Sequence, residues 1–171
     1  MKIIIAGVGK IGKTLAKQLA EEGHDLTLID ENNRVLETAV ERLDAMGVNG
    51  NCASMEVLKS AGIEDADLVI AVTNADEVNL LCCLTAHGLN PNVHTIARIR
   101  DPEYAEQIMT MHDVFPLSMT VNPEKRAAQE IERLLRFPGF LRRESFPTKS
   151  TGFPSTSAVV FDIASKSASP E

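Results

Sequence analysis

Three glycines with the spacing Gly-x-Gly-x-x-Gly stand at positions 7, 9 and 12, directly after the apolar run Ile3–Ile5. This spacing, where a buried strand turns into a helix, is typical of a loop that binds the pyrophosphate of a dinucleotide. Gly7 makes the tight turn, Gly9 lets the backbone approach the phosphates, and Gly12 lets the first helix pack closely. Main-chain amides at the start of that helix point towards the phosphates, and the helix dipole favours their negative charge.

An acidic side chain, Asp30, follows a second apolar run roughly 20 residues after the glycines, as the dinucleotide pattern requires. We expect its carboxylate to accept hydrogen bonds from ribose hydroxyls. A 2′-phosphate at this place would meet Asp30 and Glu31, so the sequence disfavours NADP, although Arg34 offers a nearby positive charge. The acid does not distinguish NAD from ATP or ADP, because all of these carry a free ribose 2′-hydroxyl.

Other candidate ligand residues follow later strands, because ligands of such a fold bind at the carboxyl ends of the strands. Small side chains at 50–54 would admit an adenine ring, and an ordinary loop explains them equally well. Thr73 and Asn74 can reach a ribose or a pyrophosphate. Arg98 and Arg100 suit a phosphate, and a surface ion pair with Asp101 or Glu103 is the alternative for both.

The elements that position these residues alternate between strands and helices. Apolar runs predict strands at 2–6, 25–30, 48–50, 67–72 and 93–99, with a short sixth strand at 113–115. Helical spacing and capping residues predict helices at about 10–22, 32–46 and 76–88, a short helix between Ser54 and Gly62, and another from Asp101. This order predicts an α/β fold, a doubly wound, Rossmann-type parallel sheet of about six strands with helices on both faces.

A different organisation begins beyond the sheet. Asn122, Pro123 and Glu124 start a further helix that runs to about Arg136, and its apolar stripe packs either on the parent domain or on a second subunit. The break at 137–140 is a candidate hinge. We therefore divide the chain into a nucleotide-binding domain at 1–120, the helix and hinge at 121–146, and a tail at 147–171. The tail is rich in Ser, Thr and Pro, so we expect it to be mostly disordered, or to be the truncated start of another domain.

Composition and charge narrow the function classes. The net charge of −7 disfavours a nucleic-acid partner. The three cysteines do not form a disulfide framework, which predicts reduced thiols and a cytoplasmic protein. The four histidines lack ligand spacing, so we expect no metal site. The sequence contains no apolar run long enough for a membrane span, and the first strand leaves no room for a signal peptide.

The sequence contains few arrangements of residues that could catalyse a reaction. No Ser-His-Asp, Cys-His or paired-carboxylate arrangement stands out, so we predict no catalytic residues and a protein that is not an enzyme. A dehydrogenase would also need a second domain for its substrate. A sensor whose conformation depends on the bound nucleotide is therefore favoured, and an NAD-dependent oxidoreductase, or a fragment of one, is the alternative.

Several motifs together resemble a known family. They are the glycine loop, Asp30, the stretch 65–74 followed by Asp76, Glu77 and Asn79, the stretch 97–100, and Asn122-Pro123-Glu124. This collinear set resembles the KTN or RCK domains, the cytoplasmic gating modules of potassium transporters and channels, including those of bacterial Trk potassium uptake. The resemblance covers about residues 1–146. Many of these relatives continue into a second small domain, which residues 147–171 do not resemble.

The resemblance implies a regulatory subunit that binds NAD, NADH, ATP or ADP. It also implies a homodimer or larger homo-oligomer, which docks on an integral-membrane potassium transporter subunit at the inner face of the cell membrane. The helix from Asn122 would be the family's crossover helix, which packs against a partner subunit. The residues and the resemblance together predict the following nucleotide-binding set: Gly7, Val8, Gly9, Lys10, Ile11, Gly12, Asp30, Asn51, Cys52, Thr73, Asn74 and Arg98.

Overall fold

A computed structural model of the chain describes residues 1–110 and 117–136, apart from the side chain of Met109. Its strands are β1 (Lys2–Ala6), β2 (Asp25–Asp30), β3 (Met46–Asn49), β4 (Leu68–Ala71), β5 (His94–Arg98) and β6 (Met119–Val121). Its helices are α1 (Lys10–Glu21), α2 (Asn33–Leu43), α3 (Met55–Ser60), α4 (Asp76–Leu89), α5 (Pro102–Thr110) and α6 (Pro123–Arg136). A short 3₁₀ turn, Ile63–Asp65, precedes β4.

The six strands form one parallel sheet with the order β3-β2-β1-β4-β5-β6. The order reverses between β1 and β4, so the chain winds outward in two directions from the centre of the sheet. The doubly wound, Rossmann-type fold is therefore confirmed. A crevice forms at such a reversal because the connections from the two central strands leave towards opposite faces.

Helices cover both faces of the sheet, as the sequence predicts. Alternate residues of β1 point to opposite sides: Ile4 belongs to one buried cluster, with Leu58 of α3 and Cys82 of α4, whereas Ile3 belongs to the other, with Ala16 of α1. Because both faces of the central strands are buried, these strands are continuously apolar rather than alternating.

The sixth strand of the sheet is an element that sequence reasoning did not predict at its position. It lies at Met119–Val121, where Ile99 donates a main-chain hydrogen bond to the Val121 carbonyl at 2.9 Å. The predicted position, 113–115, lies outside the described residues. A three-residue edge strand has too little periodicity to be recognised, and its pairing with β5 is a tertiary contact. A smaller difference is that α4 includes Gly88 and ends at Leu89.

The described chain divides into a compact unit, Met1–Glu124, and a second unit that begins at Lys125. The first unit contains the whole sheet. The second contains most of α6, the helix predicted from the Asn-Pro-Glu start. The predicted hinge at 137–140 and the predicted tail at 147–171 lie outside the described residues.

Candidate functional site

A cleft of about 730 Å³ opens at the carboxyl ends of the strands in the first unit. Its walls are the loops that follow β1, β2, β3 and β4, together with the last residue of β5. The predicted residues that line it are Gly7, Val8, Gly9, Lys10, Ile11, Asp30, Asn51, Cys52, Thr73, Asn74 and Arg98. Gly12 is the one member of the predicted set that does not line the cleft. The tertiary structure thus brings four separate loops to one place.

Gly12 acts one layer beneath the cleft. A Cβ at Gly12 would lie 1.9 Å from the carbonyl oxygen of Gly7, which excludes any larger residue without movement of the loop. Gly7 itself has a φ of +97°, and a Cβ there would lie 2.8 Å from the amide nitrogen of Thr73. The close packing expected of Gly12 is therefore made against the glycine loop, which is held between α1 and the end of β4.

The start of α1 supplies the anion-binding wall. Gly9 precedes the helix and, within the part of the chain that the structure describes, no side chain caps it. A Cβ at Gly9 would meet no atom within 4 Å, so the space above it is open. The first turn of α1 contains no acidic residue. Main-chain amides and the positive end of the helix dipole therefore face the cleft, an arrangement that suits a phosphate.

Asp30 has a structural role that sequence reasoning missed. One carboxylate oxygen accepts a hydrogen bond from the main-chain amide of Val8 at 2.7 Å, and the other accepts one from the amide of Asn32 at 2.8 Å. Each oxygen retains capacity for a second bond, so acceptance from a ribose hydroxyl is still open to it. The same carboxylate therefore fixes the glycine loop and faces the cleft.

A buried amide joins the ends of β4 and β5. Asn79, which is fully buried, accepts hydrogen bonds from the Thr73 amide at 2.8 Å and the Thr73 hydroxyl at 2.7 Å. Its side-chain amide donates to the Arg98 carbonyl at 2.9 Å. The sequence signal for this clamp was its place in the motif Asp76-Glu77-x-Asn79. The clamp sets the positions of Thr73 and Arg98, two predicted ligand residues.

Arg98 is largely buried at the rim of the cleft. Its guanidinium pairs with Glu124, while Nη1 lies 3.4 Å from the Thr73 carbonyl oxygen. Its Nε is buried without a hydrogen-bond partner among the described residues. A buried N–H with no partner is costly, and a ligand oxygen would satisfy it. Glu124 also lines the cleft, a residue that sequence reasoning treated only as part of a helix start.

Arg100 does not line the cleft and is paired with Asp76. Its guanidinium lies 3.4 Å from the carboxylate of Asp76 and also donates to the Asn74 carbonyl. Asp76 accepts hydrogen bonds from the amides of Arg100, at 2.7 Å, and Asp101, at 2.9 Å. Burial raises the pKa of Asp76, but these two amides and the guanidinium outweigh it, so the pKa lies below its ordinary value. Arg100 therefore forms an ion pair, but its partner is the buried Asp76 and not Asp101 or Glu103, the partners expected from the sequence.

The loop after β3 forms the remaining wall. The side chain of Asn51 accepts a hydrogen bond from the Ala53 amide at 2.9 Å, which holds the loop in a tight turn. Cys52 is 4% exposed and lines the cleft. Val35 and Val78 add apolar surface to the cleft. This mixture of small, polar and aliphatic groups suits the binding of a flat aromatic base.

Metal-binding clusters and membrane-spanning helices are absent from the described residues. No group of three or more His, Cys, Asp or Glu side chains in residues 1–110 and 117–136 is arranged to hold a metal ion. Within the same ranges, no helix is long and apolar enough to cross a membrane.

Comparison with known proteins identifies the family. The sequence model of the TrkA-N domain matches residues 3–115, which is most of the unit that contains the sheet and the cleft. The chain belongs to the TrkA-N domain family. This agrees with the resemblance in the glycine loop, Asp30 and the Asp-Glu-x-Asn motif.

A curated relative of this TrkA-N domain is the Trk system potassium uptake protein TrkA of Vibrio alginolyticus. It is 39% identical over 148 residues, which cover 85% of this chain and 32% of the relative. The relative TrkA homolog of Pyrococcus horikoshii is 36% identical over 148 residues, 83% of this chain and 63% of that protein. The chain thus spans about a third of the length of the first relative.

Solved structures share the fold of this TrkA-N domain. The TrkA-N domain of the inner membrane protein ybaL from Escherichia coli has a TM-score of 0.69 at 24% identity, and the match covers 78% of this chain and 96% of that one. The GsuK channel bound to NAD has a TM-score of 0.60 at 22% identity, with 70% of this chain and 21% of that one covered. At these identities the likeness shows the fold alone.

Proposed function

We propose that this chain is a nucleotide-sensing regulatory domain of a potassium-uptake system. It binds NAD(H), or ATP and ADP, in the cleft, and its occupancy regulates a membrane-embedded potassium pore. One observation carries the proposal: the glycine loop, the start of α1, Asp30 and Arg98 converge on one cleft at the reversal of strand order. Ligands of doubly wound sheets bind at this position.

Each part of a nucleotide has a matching group in the cleft. The amides at the start of α1 suit a pyrophosphate, and Arg98, whose buried Nε lacks a partner among the described residues, suits a second phosphate oxygen. The free lone pairs of Asp30 suit ribose hydroxyls. The loop with Asn51 and Cys52 suits the adenine ring. Asp30 and Glu31 would repel a 2′-phosphate, so NAD is preferred to NADP.

The link to potassium uptake is supported by the relatives. The Vibrio alginolyticus protein is named as a Trk system potassium uptake protein, and the GsuK structure is that of a channel bound to NAD. We propose for this chain an integral-membrane potassium transporter subunit as partner, and a cytoplasmic position at the inner face of the membrane. Self-association as a homodimer or larger homo-oligomer through the apolar stripe of α6 is part of the same proposal.

The proposed protein is a sensor, and catalysis is no part of the proposal. An NAD-dependent oxidoreductase remains the competing function, and turnover distinguishes the two. A sensor binds NADH and leaves it unchanged, whereas an oxidoreductase consumes NADH when a suitable small carbonyl substrate is present. The absorbance of the reduced nicotinamide measures the consumption of NADH directly.

Calorimetric titration of the purified chain with NAD, NADH, ATP and ADP in one buffer tests the binding. We expect binding without turnover and a clear difference in affinity among the four nucleotides. NADP serves as the matched control, since it differs from NAD only by the 2′-phosphate, and it is expected to bind more weakly. Absence of binding by all four would contradict the proposal, and equal binding of NADP would contradict the role of Asp30 and Glu31.

Potassium uptake in cells tests the regulatory part. Deletion of the gene for this chain is expected to change potassium uptake and its response to nucleotide levels. Complementation by the wild-type chain should restore both, whereas complementation by an Arg98→Ala chain should restore the response only in part. Uptake and response that are unchanged by deletion would contradict the regulatory role, even where binding is present.

A further inference from the structure

Thr73 carries a hydroxyl whose hydrogen-bond direction is fixed by its neighbours. The residue follows β4, lines the cleft and is half-buried. Its hydroxyl oxygen lies 2.7 Å from Oδ1 of the fully buried Asn79 and 3.3 Å from the main-chain nitrogen of Ala75. The directions of these two bonds determine what the hydroxyl can still offer to a ligand.

The orientation of the Asn79 side-chain amide follows from two main-chain groups. The N–H of Thr73, which can only donate, lies 2.8 Å from one atom of this amide, so that atom is the oxygen. The carbonyl of Arg98, which can only accept, lies 2.9 Å from the other atom, so that atom is the nitrogen. The Asn79 oxygen therefore faces the Thr73 hydroxyl, and an amide oxygen can only accept.

The single hydrogen of the Thr73 hydroxyl is therefore used within the protein. It is donated to the Asn79 oxygen at 2.7 Å, and a second acceptor, the Ala75 carbonyl oxygen, lies 3.2 Å away. The main-chain N–H of Ala75 occupies one lone pair of the hydroxyl at 3.3 Å. One lone pair remains, so the hydroxyl can accept a hydrogen bond from a ligand but has no hydrogen to donate to it.

A phosphate oxygen is a poor partner for such a hydroxyl. An ionised phosphate carries no hydrogen, so it would have to take the hydroxyl hydrogen away from Asn79. The oxygens of Thr73 and Asn79, which are 2.7 Å apart, would then face each other with lone pairs alone, which is costly at a buried group. A sugar hydroxyl donates its own hydrogen and leaves the bond between Thr73 and Asn79 intact.

The neighbouring cation has the opposite hydrogen-bond character. The guanidinium of Arg98 only donates, and its Nη1 lies 3.4 Å from the Thr73 carbonyl oxygen. Its buried Nε has no partner among the described residues. The end of β5 thus suits a phosphate oxygen, and the end of β4 suits a hydroxyl. A ligand that continues from a pyrophosphate into a second sugar would match both, whereas a nucleotide that ends in a phosphate would match Arg98 alone.

We propose that Thr73 is a specificity-determining residue, which accepts a hydrogen bond from a sugar hydroxyl and so favours nucleotides with a second ribose beyond the pyrophosphate. The inference rests on the proposed function, because it concerns ligands of the same cleft. It goes further by ranking them: NAD(H) and ADP-ribose carry the second ribose, and ADP and ATP do not. Of the two ligand groups that the sequence leaves open for Thr73, the hydrogen-bond direction favours the ribose.

Calorimetric titration of the purified wild-type chain with two matched ligands is the first test. ADP-ribose has the second ribose, and the β-methyl ester of ADP has the same charge but a methyl group in place of that sugar. We expect ADP-ribose to bind at least about fivefold more tightly, the factor that one hydrogen bond supplies. Equal affinities would overturn the proposal while leaving the proposed function in place. Absence of binding by these two ligands and by NAD and ADP would contradict the proposed function, and this inference with it.

Variants assign the difference to the Thr73 hydroxyl. Thr73→Val keeps the shape of the side chain without the hydroxyl, so it should weaken the binding of ADP-ribose about fivefold and that of the methyl ester less than about twofold. Thr73→Ser retains the hydroxyl and should keep the wild-type ratio of the two affinities. Equal losses for both ligands in Thr73→Val, as a merely structural role would give, would overturn the proposal. A greater loss for the methyl ester would also overturn it, because Thr73 would then face the phosphate.

Thr38→Val is the matched control for the loss of a threonine hydroxyl. Thr38 is exposed on α2, donates to the Arg34 carbonyl at 2.8 Å and does not line the cleft. Its replacement should leave both affinities unchanged, and a reduced ratio in Thr38→Val would overturn the assignment to Thr73. Thr73→Ala takes the place of the valine variant if circular dichroism shows that valine prevents folding. The comparison of ligands on the wild-type chain needs no variant.

Discussion

The carboxylate of Asp30 accepts a hydrogen bond from the main-chain amide of Val8 at 2.7 Å, across the gap between β1 and β2. The acid at the end of the second strand therefore holds the glycine loop at the end of the first. Val8 is fully buried, so its amide depends on this partner. One side chain thus contributes both to the shape of the phosphate loop and to the cleft that would hold the ribose.

Replacement of Asp30 by Ala is expected to weaken the binding of ADP and NAD by about 1–3 kcal/mol. The reason is that it removes charge-assisted hydrogen bonds and loosens the loop. Calorimetric titration measures the affinity. Asp25→Ala is the matched control, since it removes an exposed carboxylate from the opposite end of the same strand. Equal affinities of Asp30→Ala and the wild type would contradict the role given to Asp30.

Replacement of Arg98 by Ala is expected to weaken the binding of ATP and ADP more than the binding of adenosine. Only ATP and ADP present phosphates to the guanidinium of Arg98. Glu124→Gln is the informative companion. It removes the carboxylate that pairs with Arg98 at the rim of the cleft, so phosphate-containing nucleotides should bind up to about fivefold more tightly, the range of an exposed ion pair. Equal losses for ATP and adenosine in Arg98→Ala would show that Arg98 does not meet phosphate.

Two glycine replacements should separate folding from binding. Gly12→Ala places a Cβ 1.9 Å from the Gly7 carbonyl oxygen, so the free energy of unfolding should fall by about 1–3 kcal/mol or more. Gly9→Ala meets no atom within 4 Å and should fold with nearly wild-type stability. Its methyl group would intrude on the approach of a phosphate, so it should bind ADP more weakly. Urea unfolding and calorimetry on both variants test this, and a stable Gly12→Ala chain would contradict the packing argument.

The buried carboxylate of Asp76 makes stability depend on pH. Its pKa is lowered in the folded chain from the ordinary 3.8. Its stabilising effect is thus full above that ordinary value and disappears as the pH falls through the lower, folded value. Asp76→Asn should lower the free energy of unfolding at pH 7 by about 1–3 kcal/mol. The difference in this free energy between Asp76→Asn and the wild type should become smaller as the pH is lowered. Urea midpoints against pH measure this.

Glu77→Gln is the control for the pH experiment. Glu77 adjoins Asp76 in the first turn of α4 but is exposed, and its carboxylate accepts a hydrogen bond from the Tyr104 hydroxyl at 2.8 Å. Its replacement should shift the urea midpoint far less than Asp76→Asn does, as is usual at the surface. A difference between Asp76→Asn and the wild type that does not vary with pH would exclude the carboxylate as its source.

Much of the fold and of the cleft could be predicted from the sequence, because both depend on local patterns. Apolar runs such as Ile3–Ile5 determine a strand by burial, and the glycine spacing determines a turn by backbone sterics. In a parallel sheet, every loop after a strand opens at the same edge. Residues as distant in sequence as Gly9, Asn51 and Thr73 could therefore be assigned to one cleft before their positions were known.

The rest was decided by contacts between parts of the chain that are distant in sequence. The bond from Val8 to Asp30, the Asn79 clamp and the pairing of Arg98 with Glu124 depend on side-chain directions that no local pattern specifies. The same is true of the sixth strand, which depends on pairing with β5. Sequence alone indicated most of the residues that face the cleft, although not Glu124. The tertiary structure decided what each residue is bonded to, because hydrogen bonds between neighbours in space require the packed sheet.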